Sequence, residues 1–225
     1  MRRALALGLA ATAWLTACAG DDDAADVRAA PVVVVPNEVL ADLVRRVSCV
    51  EEIDVAITPA PEGVEPVLVV TLDEEPDANA DVLNVSVPAV ATTIDRPGPD
   101  DPWVWLDPIR FAEVAQGVGG ALTLTERFDA ELIDRCLARI DAEMVQLDEE
   151  LYALTQTLSD EERSIDATAS GVAYFATRYE FLIDESDTSV RAGDIISSDQ
   201  LDGAESYDEM MLVNVERAVE VLGSR

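Results

Sequence analysis

A single long run of helical periodicity constrains the fold of this chain more than any other feature. From Phe128 to Leu158 the apolar side chains recur in steps of four and three residues, which places them on one face of an α-helix. Thr123 and Glu126 match a capping box that would begin this helix. About 30 helical residues would extend for roughly 45 Å, which exceeds the width of a small domain. The pattern is typical either of a coiled coil or of a spine that joins two lobes.

The segments before this helix predict a small α/β lobe. A strand at residues 31–36, a helix at 37–47 and a strand at 53–57 begin a βαβ unit. Asp107 followed by Pro108 predicts the start of another helix. Three glycines should weaken the end of that helix: Gly117, Gly119 and Gly120. Two further strands are expected before the helix, at residues 67–72 and 82–87.

The segments after the long helix predict a second lobe of the same kind. Ser206 and Glu209 form a capping box for the last helix. The other expected elements are a helix at residues 170–179 and strands at 164–167, 181–183 and 194–197. The expected fold class is therefore α/β, with two small α/β lobes joined by a long spine helix. The boundaries are residues 31–122 for the N-terminal lobe, 123–158 for the spine and 159–225 for the C-terminal lobe.

The N-terminus has the form of an export signal. Two arginines precede an uncharged run from Ala4 to Leu15, which is too short to span a bilayer. The run ends in Leu15-Thr16-Ala17-Cys18, which resembles the lipobox of bacterial lipoproteins. We expect residues 1–17 to be a signal peptide and Cys18 to anchor the chain to membrane lipid. Residues 18–30 are acidic and would form a flexible tether. The alternatives are an ordinary secretory signal or a cysteine that stands there by chance.

The charge of the chain excludes several classes of function. There are 46 acidic residues against 15 basic ones, which gives a net charge of −31. Such a surface repels nucleic acid, so no nucleic-acid partner is expected. The chain has no histidine, and therefore no imidazole base for a common nucleophilic triad. Pairs of carboxylates are too frequent here to indicate a hydrolase.

Two cysteines remain besides Cys18. Cys49 and Cys136 could form a disulfide or remain two separate buried thiols.

Four blocks of the chain stand out as motifs: residues 32–47, 101–108 (DPWVWLDP), 173–179 (AYFATRY) and 206–215 (SYDEMMLVNV). In this order they resemble the extracytoplasmic solute-binding lipoproteins of zinc and manganese ABC transporters (metal-binding cluster A-I type). Residues 32–47 resemble the family's opening, residues 101–108 resemble its Asp-Pro-His-Val-Trp-Leu-Asp-Pro, and the last two blocks resemble its later motifs. The chain is shorter than the family, and the family's His-rich loop is missing.

The resemblance implies a metal site between the lobes, in which this chain has changed several ligand positions. Glu62 stands at the family's first histidine, Trp103 at its second, and Ala169 or Ser170 at its third ligand. Asp199 matches the family's C-terminal aspartate. Glu62 and Asp199 would thus hold a divalent metal ion weakly, while Trp103 and Ala169 would line the pocket.

The resemblance also implies a role and a covalent link. Cys49 lies at the end of the first helix and Cys136 near the start of the spine. These two places are close in the family's arrangement, so the resemblance implies a Cys49–Cys136 disulfide. The implied function is that of a divergent solute-binding lipoprotein, a monomer that serves a membrane permease without catalysis. It would be extracytoplasmic and lipid-anchored to the bacterial cell membrane. The alternatives are a pseudo-receptor or interaction module on the same fold and, with less support, a hydrolase.

Overall fold

Two parallel β-sheets form, one before and one after the longest helix of the chain. The computed structural model describes residues 30–49, 52–72, 82–91, 103–166, 172–183, 190–191, 195–198, 200–201 and 203–224. The elements are β1 (Val32–Val35), α1 (Glu38–Ser48), β2 (Asp54–Ile57), β3 (Leu68–Thr71), β4 (Leu83–Ser86), α2 (Val87–Val90), a 3₁₀-helix (Val104–Leu106), α3 (Pro108–Leu124), α4 (Ala130–Thr155), β5 (Ser164–Asp166), α5 (Ala173–Arg178), β6 (Leu182–Ile183), β7 (Val190–Arg191) and α6 (Tyr207–Gly223).

The first sheet has the strand order β2-β1-β3-β4, and all of its strands are parallel. Val33 on β1 pairs with Val55 on one side and with Leu68 on the other. The second sheet has the order β6-β5-β7, with Ile165 between Ile183 and Val190. Parallel neighbours need crossover connections, and α1 provides one between β1 and β2 while α5 provides one between β5 and β6. The predicted α/β fold class is confirmed.

The third strand of the second sheet is not where the sequence places it. The predicted strand at residues 194–197 is wrong: β7 is Val190–Arg191, and the described residues 195–198 are irregular. The reason is that a side chain takes the place of a neighbouring strand. The Ser197 N–H donates to Asn214 Oδ1 at 2.8 Å, and Asn214 Nδ2 donates to the Ser197 carbonyl at 2.9 Å. Both backbone groups of Ser197 are thereby satisfied without a ladder.

The N-cap of the spine helix α4 lies six residues later than the capping box suggests. Asp129 is its N-cap, and its Oδ1 accepts from the N–H groups of Glu131 and Leu132 at 2.9 and 3.2 Å. Thr123 instead lies inside α3, and Glu126 has a positive φ of 56° in the connection. The capping-box prediction is wrong because α3 extends through Thr123, and Asp129 then caps the first N–H groups of α4. The 26 residues of α4 extend for roughly 39 Å.

The three glycines that are expected to weaken the end of α3 all lie inside the helix, which continues to Leu124. Two of them lie where other elements come close. A Cβ at Gly117 would be 2.8 Å from Val90 Cβ on α2, and one at Gly119 would be 2.8 Å from Leu137 Cδ1 on α4. The small residues therefore allow α2 and α4 to pack closely against α3.

We expect Gly117→Ala to lower the free energy of unfolding by about 1 to 2 kcal/mol, because Val90 Cβ is stiff and cannot move without its backbone. Gly120→Ala is the matched control, since a Cβ there meets nothing within 4 Å and should raise stability by about 0.5 to 1 kcal/mol. Urea unfolding of both variants measures the difference. Equal stability of the two variants would contradict the packing argument.

A continuous hydrophobic core runs through the described residues. It joins the first sheet, α1, α3 and α4 to the second sheet and α6. Its largest fully buried side chains include Trp105, Tyr179 and Tyr207. Among the described residues, no helix combines the length and the apolar character needed to cross a membrane.

Candidate functional site

The structure describes two of the four positions that the resemblance assigns to the cleft. Glu62 is exposed on the loop after β2, in a turn where Gly63 has a φ of 77°. Trp103 is partly buried and packs against the hydrophobic core. Ala169 and Asp199 lie outside the described residues, as Cys18 does. In the part of the chain that is described, no three His, Cys, Asp or Glu side chains are grouped so that they could hold a metal ion.

Polar side chains at the carboxyl ends of β1 and β2 form hydrogen bonds with backbone groups. Asn37, which follows β1, accepts from the Leu40 N–H at 2.9 Å and caps α1. Thr58, which follows β2, donates from Oγ1 to the Val35 carbonyl at 3.1 Å. Ligands of parallel α/β sheets bind at this edge. These two side chains therefore stabilise the edge itself, and Glu62 lies on the loop beyond it.

A cavity of about 310 Å³ lies at the opposite edge of the first sheet. It is formed where β3 and β4 begin and where α3 turns into α4. The residues around it are Glu65, Pro66, Val67, Leu83, Thr125 and Arg127. Its position at the amino ends of the strands separates it from the cleft edge.

The block at residues 103–108 builds a scaffold at the start of α3. Trp105 is fully buried in the 3₁₀-helix, and its Nε1–H donates to the Ser198 carbonyl. The Trp105 carbonyl accepts from the Tyr207 hydroxyl at 2.6 Å. Trp105 thus joins the segment before α3 to the segment before α6. In this chain the second tryptophan of the motif is a structural side chain.

Asp107 begins α3 in the way that the sequence predicts. Its Oδ1 accepts from the N–H groups of Ile109 and Arg110 at 2.9 and 3.4 Å, and its Oδ2 pairs with the Arg110 guanidinium. Asp107 is only 1% exposed, and burial raises the pKa of its carboxyl, an effect opposed by the charges of Arg110 and Arg178. The Arg110 guanidinium lies 5.3 Å from the ring centre of Tyr174 on α5, a cation–π contact.

The block at residues 173–179 attaches α5 to the spine. Arg178 Nε donates to Asp148 Oδ1 at 2.7 Å, and Nη2 pairs with Asp148 Oδ2. This bidentate bond raises the pKa of Arg178. Burial, more than any charge, raises the pKa of the neighbouring Tyr179. These two of the four blocks that resemble the family therefore hold structural elements together.

A charged cluster that the sequence reading did not single out joins α1, α4 and α6. Arg46 lies 3.0 Å from Asp42, 2.9 Å from Asp208 and 3.8 Å from Glu143. The Asp42–Arg46 spacing of four residues on α1 is a local signal that could have found one of these pairs. Asp208 and Glu143 come from distant parts of the chain, and no local pattern indicates them.

One family model and several solved structures are similar to this chain. The family model described as the periplasmic zinc-uptake complex component A, ZnuA, matches residues 19–205. No match was found among curated protein sequences. Among solved structures, the periplasmic zinc-binding protein TroA from Treponema pallidum is 15% identical, with a TM-score of 0.68 over 85% of this chain and 99% of that one.

Two other solved structures are similar. A zinc-bound deletion mutant of ZnuA is 17% identical, with a TM-score of 0.64 over 84% of this chain and 97% of that one. A periplasmic metal-binding protein from Candidatus Liberibacter asiaticus is 12% identical, with a TM-score of 0.64 over 85% of this chain and 99% of that one. The likeness confirms the predicted fold of two α/β lobes joined by a long helix.

Proposed function

Because the chain belongs to the family of the periplasmic zinc-uptake component A, we propose that it is the extracytoplasmic component that delivers a divalent metal ion to an ABC permease. The observation that carries the proposal is the family match over residues 19–205, together with the same arrangement of parallel sheets and long helices. Family membership confirms the resemblance seen in the four sequence blocks. The low identity to the solved structures makes the chain a divergent member.

The donor set supports a hard ion in place of zinc. Zinc sites are rich in imidazole and thiolate, but this chain has no histidine. Cys49 and Cys136 are joined as a disulfide and supply no thiolate. Glu62 and Asp199, the two acids at family ligand positions, offer oxygen, which suits manganese, magnesium or calcium. We infer a weak carboxylate site that takes much of its coordination from water.

Calorimetry of the purified protein at physiological salt tests this proposal. We expect manganese to bind in a saturable way, zinc to show no site tighter than about micromolar, and Asp199→Ala to abolish the ion binding. Asp134→Ala, which removes an exposed acid of α4, is the control and should leave binding unchanged.

Two results would contradict parts of this proposal. Nanomolar zinc binding that Asp199→Ala removes would show a complete zinc site and would make the carboxylate assignment wrong. The absence of binding by any divalent ion, in wild type and variant alike, would instead favour an interaction module on the same fold. Trp103 is the feature that favours this second function, since an apolar ring packed on the core stands where the family has a ligand.

We also propose that Cys18 anchors the protein to the membrane. The leader and its Leu-Thr-Ala-Cys ending support this, and the family match begins at the next residue. We expect Cys18→Ala to prevent acylation and to release the protein from the membrane fraction, as measured by fractionation and mass spectrometry. Gly120→Ala, where the added Cβ meets nothing within 4 Å, is the control and should stay membrane-bound. A Cys18→Ala protein bound as firmly as wild type would refute the anchor.

A further inference from the structure

The cavity at the amino ends of β3 and β4 has an apolar wall that the first sheet holds in place. Val67 comes directly before β3, and its N–H donates to the Val32 carbonyl of β1 at 2.8 Å. Leu83 is the first residue of β4 and pairs with Leu68 of β3. Both Val67 and Leu83 pack against the hydrophobic core and are only partly exposed. The fold therefore forms this wall before any ligand arrives.

A second wall of the cavity is the connection from α3 to α4. Thr125 is the C-cap of α3, and its Oγ1 donates to the Leu122 carbonyl at 2.8 Å. The same oxygen accepts from the Arg127 N–H at 3.4 Å. These bonds hold the backbone at Arg127 beside the cavity, while the Arg127 side chain stays exposed. The connection thus places a cationic side chain at the edge of the cavity.

Two opposite charges border this cavity without neutralising each other. Glu65 and Arg127 both line it, and both are exposed. Neither side chain forms an ion pair with the other or with any further residue that the structure describes. Each charge is therefore available to a ligand group of the opposite sign, and a ligand that carries both signs can use the two together.

We propose that the cavity binds a small zwitterion, namely an α-amino acid with an apolar side chain. Glu65 accepts hydrogen bonds from the ammonium group, and the Arg127 guanidinium donates to the carboxylate. The apolar side chain of the ligand lies on Pro66, Val67 and Leu83. The cavity volume of about 310 Å³ is at the low end of the range for ligand pockets, about 300–1,000 Å³, which suits a single amino acid better than a peptide.

The charges at the cavity disfavour simpler ligands. Glu65 repels a plain anion and Arg127 repels a plain cation, and the net charge of −31 on the chain adds to the repulsion of anions. A zwitterion has no net charge and escapes these effects. The site does not rest on the proposed function, because it lies at the amino ends of the strands and Glu62 lies beyond their carboxyl ends.

NMR of the ¹⁵N-labelled full-length protein in detergent tests this site, with a chelator present so that metal ions play no part. Leucine should shift the Val67, Leu83 and Thr125 amides in a saturable way, with a dissociation constant of about 1 mM, because exposed charges bind weakly. Two probes each lack one charge: 3-methylbutylamine has no carboxylate, and 4-methylpentanoate has no ammonium group. Each should bind about threefold to tenfold more weakly than leucine.

Two variants assign the charges of the ligand to the two side chains. Glu65→Gln should weaken leucine binding about threefold to tenfold and remove the preference for leucine over 4-methylpentanoate. Arg127→Gln should weaken it by a similar factor and remove the preference over 3-methylbutylamine. Both side chains are exposed, so neither change threatens the fold. The controls Arg135→Gln and Glu149→Gln remove the same charges from exposed positions of α4 and should bind leucine as wild type does.

Three results would overturn the proposal. Leucine that causes no saturable shift of these amides, at concentrations far above millimolar, would show that the cavity takes no amino acid. Equal binding of leucine and 4-methylpentanoate by the wild type would show a plain anion site. Equal affinity for leucine in the wild type and in both cavity variants would place the binding elsewhere. None of these results bears on metal binding, so a failure here is distinct from a failure of the proposed function.

Discussion

Replacing Cys49 by alanine is expected to lower the free energy of unfolding by about 4 to 5 kcal/mol, because the disulfide to Cys136 closes a long loop. The two cysteines are 87 residues apart in sequence, and their Cα atoms are 6.2 Å apart, within the usual range for a disulfide. Cys49 is the C-cap of α1 in a left-handed conformation, and Cys136 is a buried residue of α4. The link therefore ties the first helix to the spine.

Equilibrium unfolding in urea, with and without a reducing agent, measures this effect. Reduced wild type, Cys49→Ala and the double variant with Cys136→Ala should lose similar stability, and the variants should not respond to the reductant. Thiol titration of the denatured, unreduced wild type provides the independent check. If that titration finds both Cys49 and Cys136 as free thiols, the disulfide and the predicted loss are refuted.

The second large effect is expected at the ion pair between α4 and α5. Asp148→Ala should lower the free energy of unfolding by about 2 kcal/mol, because it leaves the Arg178 guanidinium without its bidentate partner. Removing one member of a fully buried pair costs more, about 3 to 5 kcal/mol. The Arg178 side chain is 36% exposed, however, and water replaces part of the lost interaction.

Glu149→Ala gives the matched control for this pair. Glu149 is the next residue of α4 and is exposed, so its removal should change stability by less than about 0.5 kcal/mol. Thermal or urea unfolding of the two variants decides the matter. Equal losses would show that the Asp148–Arg178 bond contributes nothing beyond the general effect of removing a charge.

The parts of the fold that depend on neighbouring residues were predictable from the sequence. Asn37, Asp107 and Ser206 each begin a helix in the structure, because a capping side chain needs only the N–H groups two or three positions ahead. The ends of the four strands in the first sheet lie within one residue of the ends predicted from the sequence. Here too the signal is local, because strands are rich in β-branched side chains.

The remaining features depend on contacts between distant residues, which no local pattern encodes. Thr123 and Asp129 are both acceptable caps, and only the packing of α3 on α4 decides between them. Asp148 meets Arg178 across 30 residues, and Trp105 meets Ser198 across 93. For the candidate site, the resemblance gave positions but no geometry. The exposure of Glu62 and the packing of Trp103 became visible only in the fold.

The contacts between α1 and the residues around the start of α6 determine the order in which this protein can assemble. Glu38 meets Leu201 across 163 residues, and Asp42 meets the Tyr207 N–H across 165. A chain is synthesised from its amino end, so the α1 surface that carries Glu38 and Asp42 stays uncovered until nearly the whole chain exists. Contacts of such separation also slow folding, since a long loop must close before they form. The last helix therefore completes the first lobe, and a chain that ends before Tyr207 would leave both lobes unfinished.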